Sequence, residues 1–299
     1  MPTAPSLRRR RLAAELRKLR EQSGLSVTDV AKRLDWQASR LSRLENRQSG
    51  ISRPDLRRLL DLYQVEDEEY RAYLAELARK LNERGWWQKY AGDVITTGLA
   101  ELISLEEEAR TIRTYEQEVV PGLLQIPEYA QAIFRDTWPL NTAEQVKRKV
   151  EIRMERQQVL TRPDPPPPRL SVVLGEGVLR RPAGGREVML RQLEHLLRLP
   201  RDHANVTIQV LPFAAGAHPA MVGSFTMLTF PDPDDLGMVN LESATSALFL
   251  EDPAEIRVYD EIWHTLQARA LSPDDSQAFL RSTSFGYRLG EGREVTDSS

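Results

Sequence analysis

The stretch LSVTDVAKRLDWQASRLSRLEN, Leu25 to Asn46, constrains this chain more than any other. Ser26 and Asp29 stand three apart, the spacing of a capping box. The serine hydroxyl accepts from the third helical amide, and the aspartate reaches back to the amide of Ser26. Behind the box, Val27, Val30, Ala31 and Leu34 form one apolar stripe, and Leu41 and Leu44 resume it after a break at Asp35-Trp36. The pattern predicts two short helices joined by a tight turn over a shared core. Ala31 is small where steeply crossed helices must approach closely. The second helix, from about Gln37 to Glu45, turns Leu41 and Leu44 inward and leaves Gln37, Ala38, Ser39, Arg40, Ser42 and Arg43 outside. A solvated helix pair in an unrelated bundle is the plainer alternative. The box, the small residue, the turn and the stripe together favour a helix-turn-helix.

This combination resembles the XRE class of regulators, whose domain is similar to the Cro and lambda-repressor domains, over roughly the first quarter of the chain. The resemblance implies that the second helix lies in the major groove of double-stranded DNA. Ala38, Ser39 and Arg43 then occupy base-reading positions, and Arg43 can fork onto a guanine. Ser26, Thr28, Gln37, Arg40, Asn46 and Arg47 fall nearer the phosphates. The chain departs from the family at Asp35, where glycine is usual, and at Val27-Thr28, where glutamine is frequent. Asp tolerates the left-handed conformation such a turn requires.

Charge agrees with this placement. The net charge of -3 hides an asymmetry: residues 1–65 carry 15 Lys+Arg against 7 Asp+Glu, a balance of +8, and the remainder carries 26 against 37, a balance of -11. A basic module on an acidic body suits a chain of which one part meets phosphate. Arg8 to Arg11 open a first helix bearing Leu12, Leu16 and Leu19 and ending before Gly24. They are either an arm on the DNA or a solvated helix start. Ser52 with Asp55 predicts a second capping box, leading into Leu56, Leu59 and Leu60.

With 299 residues, 40% of them hydrophobic, the chain has room for two domains, and it contains no cysteine. No apolar run approaches a membrane span, and the start lacks a secretory core, so a cytoplasmic, nucleoid-associated protein is expected. The predicted organisation is a helix-turn-helix domain at 1–65, a linking helix at 66–84, an α+β body at 85–285 with a Pro-rich spacer at 163–168, and a disordered tail at 286–299. Within the body, helices are predicted at Leu99–Tyr115, at Asn141–Leu160 after an asparagine cap, at Glu187–Leu199, at Glu255–Ala270 and at Pro273–Leu280. Strands are predicted at Leu170–Leu174, Val206–Leu211, Ser224–Phe230, Gly237–Leu241 and Ala247–Leu250, giving a small antiparallel sheet. Trp86-Trp87 read as core or interface anchors. Ser224 to Leu250 could offer an exposed edge or a lined pocket, although a plain sheet core also accounts for it.

The order WW, LEEEAR, VVPGLLQIPEYA, LGEGVLRRPAGG, VMLRQLEHLL, VTIQVLP and FTMLTF is similar to the carboxy-terminal domain of WhiJ-like, antitoxin-like regulators of actinobacteria. That resemblance implies a small protein partner encoded nearby, with a small-molecule effector as the other possibility.

Signs of chemistry are weak. His195, His203, His218 and His264 do not pair at ligand spacing, and His264 with Asp260 reads as a helix-surface pair rather than an acid-base unit. Gly175, Gly177, Gly184 and Gly185 lack the endings of phosphate loops. The expectation is a DNA-binding transcriptional regulator, dimeric and without catalytic, metal or cofactor sites, whose body binds a partner protein or ligand. The alternative is an antitoxin-like subunit that mainly sequesters a small partner and autoregulates its operon.

Overall fold

The computed structural model describes residues 7–46, 48–80, 86–90, 94–137, 141–231, 235–243 and 246–289. The chain divides into two compact units, Met1–Lys89 and Tyr90–Ser299.

The first unit is helical: α1 (Leu7–Gln22), α2 (Val27–Leu34), α3 (Ala38–Glu45), α4 (Arg53–Leu62) and α5 (Glu68–Lys80). Leu12 and Leu16 of α1 meet Val30 and Leu34 of α2, Leu41 and Leu44 of α3, and Leu56, Leu59 and Leu60 of α4 in one buried cluster. Helix α1 stops where Gly24 takes φ +67°, a left-handed value that glycine adopts without a Cβ clash. The Leu25 amide then donates to the Arg20 carbonyl at 3.3 Å. Arg8 to Arg11 have helical backbone, continuous with the rest of α1.

The helix predicted as a link, 66–84, is α5, and it packs into this same core. Leu74, Leu77 and Ala78 are buried there, and the Tyr70 hydroxyl donates to Glu15 Oε2 at 2.5 Å. An apolar stripe is buried against the nearest apolar surface, here α1 and α4. Residues 81–84 of the prediction lie outside the described residues. The Ser52 box is half formed. Ser52 Oγ accepts from the Asp55 amide at 3.2 Å, but the Asp55 carboxylate turns to Arg40 instead of to the Ser52 amide.

The second unit contains α6 (Thr97–Glu108), α7 (Pro127–Thr137), α8 (Ala143–Arg156), α9 (Glu176–Arg180), α10 (Arg186–Asp202), α11 (Pro253–Arg269) and α12 (Pro273–Leu289). Its strands are β1 (Thr111–Glu116), β2 (Arg169–Gly175), β3 (Val206–Leu211), β4 (Phe225–Thr229), β5 (Met238–Glu242) and β6 (Ala247–Leu250), in one six-stranded sheet of order β3-β2-β1-β4-β5-β6. The predicted antiparallel sheet is present from β1 through β4 and β5 to β6. Parallel pairs β1–β2 and β2–β3 extend it, because helices α7, α8 and α10 carry the chain back between these strands.

Strand β1 corrects the helix predicted over Leu99–Tyr115. Helical spacing ends at Glu108, and Thr111, Ile112 and Thr114 are β-branched residues that prefer the pleat. Ile112, Thr114 and Tyr115 are all buried in a central strand, which hides its alternation. Helix α8 is capped by Thr142, not Asn141: Thr142 Oγ1 accepts from the Gln145 amide, and the Gln145 side chain accepts from Thr142. Asn141 instead donates to the Phe134 carbonyl at 3.1 Å and accepts from Lys149 at 2.9 Å. The last helix runs to Leu289, so the predicted tail at 286–299 is helical over its first four residues; 290–299 lie outside the described residues. The spacer at 163–168 carries neither helix nor strand. Trp86 and Trp87, in a 3-10 turn, are half-buried and meet edge to face at 5.9 Å.

The two faces of the sheet differ. Tyr115, Val173, Phe225, Met227 and Val239 pack beneath Ile256, Trp263 and Leu266 of α11 in an apolar core. The opposite face carries Thr114, Thr226 and Asn240 in one cross-strand row. The outer side of β3 is closed by the α11–α12 junction. There the Leu271 amide donates to the Val210 carbonyl at 2.8 Å, and the Val210 amide donates to Ser276 Oγ at 2.9 Å. Before β5, Gly237 at φ +88° passes Leu228 so closely that a Cβ would lie 2.2 Å from its carbonyl oxygen.

Truncating Leu74 to alanine should cost about 2–5 kcal/mol, the range for large-to-small core changes. The loss should appear as faster amide hydrogen exchange throughout α1 and α4. Faster exchange confined to α5 would show that this helix is not part of the cooperative core.

Candidate nucleic-acid interface

Helix α2 begins as its sequence dictates. Ser26 Oγ accepts from the Asp29 amide at 3.1 Å, and the Ser26 amide donates to Asp29 Oδ2 at 3.0 Å. The Ser26 hydroxyl also donates to Asp29 Oδ2 at 2.6 Å, and this bond, with the one from the Ser26 amide, holds the exposed Asp29 carboxyl below its ordinary pKa. Thr28 Oγ1 lies 2.8 Å from Ser26 Oγ, so both hydroxyls sit at the exposed start of α2. At the other end Asp35 adopts φ 57°, ψ 45°, the left-handed cap predicted for it, and the Trp36 amide donates to the Ala31 carbonyl at 2.8 Å. Arg58 of α4 donates to the Leu34 carbonyl at 2.7 Å, satisfying a second orphan at this helix end. Ala31 is buried, with 3% of its surface exposed.

After the turn, α3 presents Ala38, Ser39, Arg40 and Arg43 on its exposed side, with Leu41 and Leu44 buried beneath. Gln37 stands at its N-cap position without a side-chain capping bond, leaving its amide group outward. Asn46 ends the helix, exposed, and its Nδ2 donates to Ser42 Oγ at 3.1 Å. Arg47 lies outside the described residues. Arg40 is less free than the sequence suggests. Its guanidinium stacks 4.2 Å above the Trp36 ring and pairs with Asp55 at 2.5 Å. Ser52 and then Arg40 hold the Asp55 carboxyl below its usual pKa.

Sequence reasoning missed the contact that fixes α3 on the domain. Arg20 Nε donates to Glu45 Oε1 at 2.7 Å and Nη2 donates to Oε2 at 3.1 Å, a forked pair with only 11% and 7% of the side chains exposed. Nη1 of the same guanidinium donates to the Leu25 carbonyl at 2.9 Å. One arginine thus ties the end of α3 to α1 and to the entry of α2. Its partners are 25 and 5 residues away, and no local pattern signals the first of them.

The histidines form no site together. His264 lies 3.4 Å from Asp260, but Asp260 also takes the Arg113 guanidinium at 2.7 Å, and the imidazole is 61% exposed. His218 stacks edge to face on Tyr115 and His195 is held below its usual pKa by burial. Among the described residues no group of three or more His, Cys, Asp or Glu side chains could hold a metal ion, and no helix is long and apolar enough to cross a membrane.

A capped helix, a left-handed turn and a second helix with an apolar inner side and a polar outer side define a helix-turn-helix unit. Residues 11–74 match a family model described as a helix-turn-helix domain, and this supports a DNA-binding regulator. Residues 99–282, well over half the chain, match the model described as domain of unknown function (DUF5753), and the chain belongs to that family. No curated protein and no solved structure matches it.

The Arg20–Glu45 pair and the Arg40–Asp55 pair should differ in worth. Glu45→Ala leaves the Arg20 guanidinium with only the Leu25 carbonyl and Glu21 and should cost about 1–3 kcal/mol. Arg40→Ala, at a guanidinium largely open to water, should cost about 0–1 kcal/mol. Urea denaturation followed through the first unit checks both.

Proposed function

We propose that this chain is a sequence-specific transcriptional regulator. It docks α3 in the major groove of double-stranded DNA as a homodimer, and its second unit binds a partner protein or small ligand that controls docking. The observation that carries the reading is the outer side of α3, where Ala38, Ser39 and Arg43 are exposed while Leu41 and Leu44 are buried. Ala38 and Ser39 are short enough to let the helix approach the base edges, and Arg43 supplies a fork for a guanine. Ser26, Thr28, Gln37, Asn46 and Arg47 are assigned to phosphates on either side. Arg40 joins them with the donors that its bond to Asp55 leaves unused. The excess of basic residues in 1–65 supports phosphate docking, and one recognition helix covers too few base pairs for useful specificity, which favours a dimer on two half-sites.

The second unit supplies the control in this reading. A repressor domain needs a small helical core and a dimer contact, whereas this chain spends 210 residues, Tyr90–Ser299, on a separate sheet-containing body. Resemblance to the antitoxin-like regulators favours a protein partner acting there. Occupancy shifts DNA affinity only by its differential affinity for the competent state.

Selection from random DNA separates the assigned roles. Arg43→Ala should relax preference at one base pair, a loss of about 1–3 kcal/mol of discrimination, and Arg47→Ala should weaken all sequences alike. Wild-type preferences in both variants would place a different surface on the DNA. Affinity should also fall steeply between 50 and 200 mM salt, roughly in proportion to the phosphates contacted.

A further inference from the structure

The second unit has a half-open cavity of about 420 Å³ on the side of its sheet that carries Thr114, at the carboxyl end of β1 where parallel and antiparallel halves meet. That volume lies in the range of small-molecule sites, and strand ends at such junctions are where open sheets leave a crevice. Sheet register explains the lining. Thr114, Thr226 and Asn240 stand side by side on β1, β4 and β5, and two residues further along β1 and β5 come Glu116 and Glu242. Alternation has therefore placed a polar row on a covered face, where an ordinary sheet buries apolar side chains.

The opposite wall comes from α6, α8 and the turn before α7. Arg156 forks onto Glu106 at 2.5 and 2.6 Å, and both side chains are buried, so this pair is neutral as a unit. Arg153 lies 4.8 Å from the centre of the Phe134 ring and donates to Gln125 Oε1 at 2.8 Å, with no carboxylate bound to it among the described residues. Its approach depends on Gly122, where a Cβ would come 2.8 Å from the guanidinium. Gln157 holds the turn by donating to the carbonyls of Gly122 and Gln125 at 2.9 and 2.7 Å. Glu116 and Glu242 thus face Arg153, which among the described residues is bonded to Gln125 and to no carboxylate. The Asn240 side-chain carbonyl oxygen, on a residue 3% exposed, has no hydrogen-bond partner among the described residues. Glu116 is half-buried and accepts from Thr114 Oγ1 at 3.3 Å, and Glu242 stands exposed at the mouth. The buried Asn240 acceptor costs free energy unless something donates to it, and the two carboxylates leave the opening short of positive charge.

We propose that this cavity binds a small organic cation bearing an amine or guanidinium group, whose N–H donors bond to Glu116, Glu242 and the Asn240 carbonyl oxygen. An anion would sit against two carboxylates with one arginine to hold it. No cluster among the described residues suits a bare metal ion, and the volume exceeds what one needs. The groups facing Glu116 are Glu242 on β5, Ser224 before β4, Arg153 and Arg156 on α8, Glu106 on α6 and Thr114 on its own strand. Burial, opposed by a hydrogen bond from Ser224 and reinforced by Glu242, raises the Glu116 carboxyl to a pKa of about 7. A proton therefore competes with the cation near neutrality. Affinity should rise about tenfold from pH 6 to pH 8, following the ionised fraction of such a group.

Calorimetric titration of the full chain with agmatine and putrescine, against glutamate and glucose, tests the proposal without DNA. Saturable binding of at least one cation at pH 8 is expected, weakened at least tenfold by Glu116→Gln or, should that variant misfold, by Glu242→Gln. Binding of glutamate alone would make Arg153 the recognising group and overturn the proposal. So would the absence of binding by both cations, or cation binding unaffected by both variants. The regulatory reading fails separately: if a cation binds and operator affinity does not change, the cavity assignment stands and the control assignment falls.

Discussion

The architecture of the second unit depends on the pleat of β1. This strand pairs parallel with β2 on one side and antiparallel with β4 on the other, so both halves of the sheet hang from its hydrogen bonds. Its alternation also separates two environments. Tyr115 points into the apolar layer under α11, while Thr114 and Glu116 line the half-open cavity on the other side. A slip of one residue in register would exchange these faces, placing a carboxylate in the apolar layer and a phenol ring in the cavity. The hydroxyl of Thr114 guards against that slip, since it lies 3.0 Å from Thr226 Oγ1 and donates to the Phe225 carbonyl at 3.2 Å.

The first unit rests on a different device. Its helices are short, and two of them, α2 and α3, have 8 residues each, too few to be stable alone. Packing on the common leucine core and the forked Arg20–Glu45 bond supply what length does not. A helix tied down at its end in this way presents its outer side chains in one orientation rather than many, as the docking proposed for α3 requires.

Much of the first unit was legible in the sequence because its signals are local. The Ser26–Asp29 box, the left-handed Asp35 and the Leu41/Leu44 stripe each span a few residues and appear as predicted. Strands β3 and β6 were also readable, their apolar runs being flanked by breaks. What could not be read depends on distance along the chain. Strand β1 reads in the sequence as the end of a helix because burial of Ile112, Thr114 and Tyr115 masks its alternation. Without β1 the parallel pairs have no strand to start from. The cavity draws together Glu106, Arg153 and Asn240 from three separate regions, and the pairing of Arg156 with Glu106 across 50 residues leaves no local trace. Asn141 illustrates a finer limit: asparagine and threonine both favour the N-cap, and the neighbour with a glutamine three residues ahead, Thr142, takes the role.

The closed outer side of β3 bears on how this protein behaves when crowded. An open sheet has two edges through which identical molecules can add strand to strand, and a molecule with both edges free can polymerise without limit. Here Leu271 and Ser276 occupy the backbone groups of Val210, so one of the two docking rims is already spoken for. Copies adding edge to edge on this side would have to displace the α11–α12 junction at each step, which sets growth from this rim at a disadvantage.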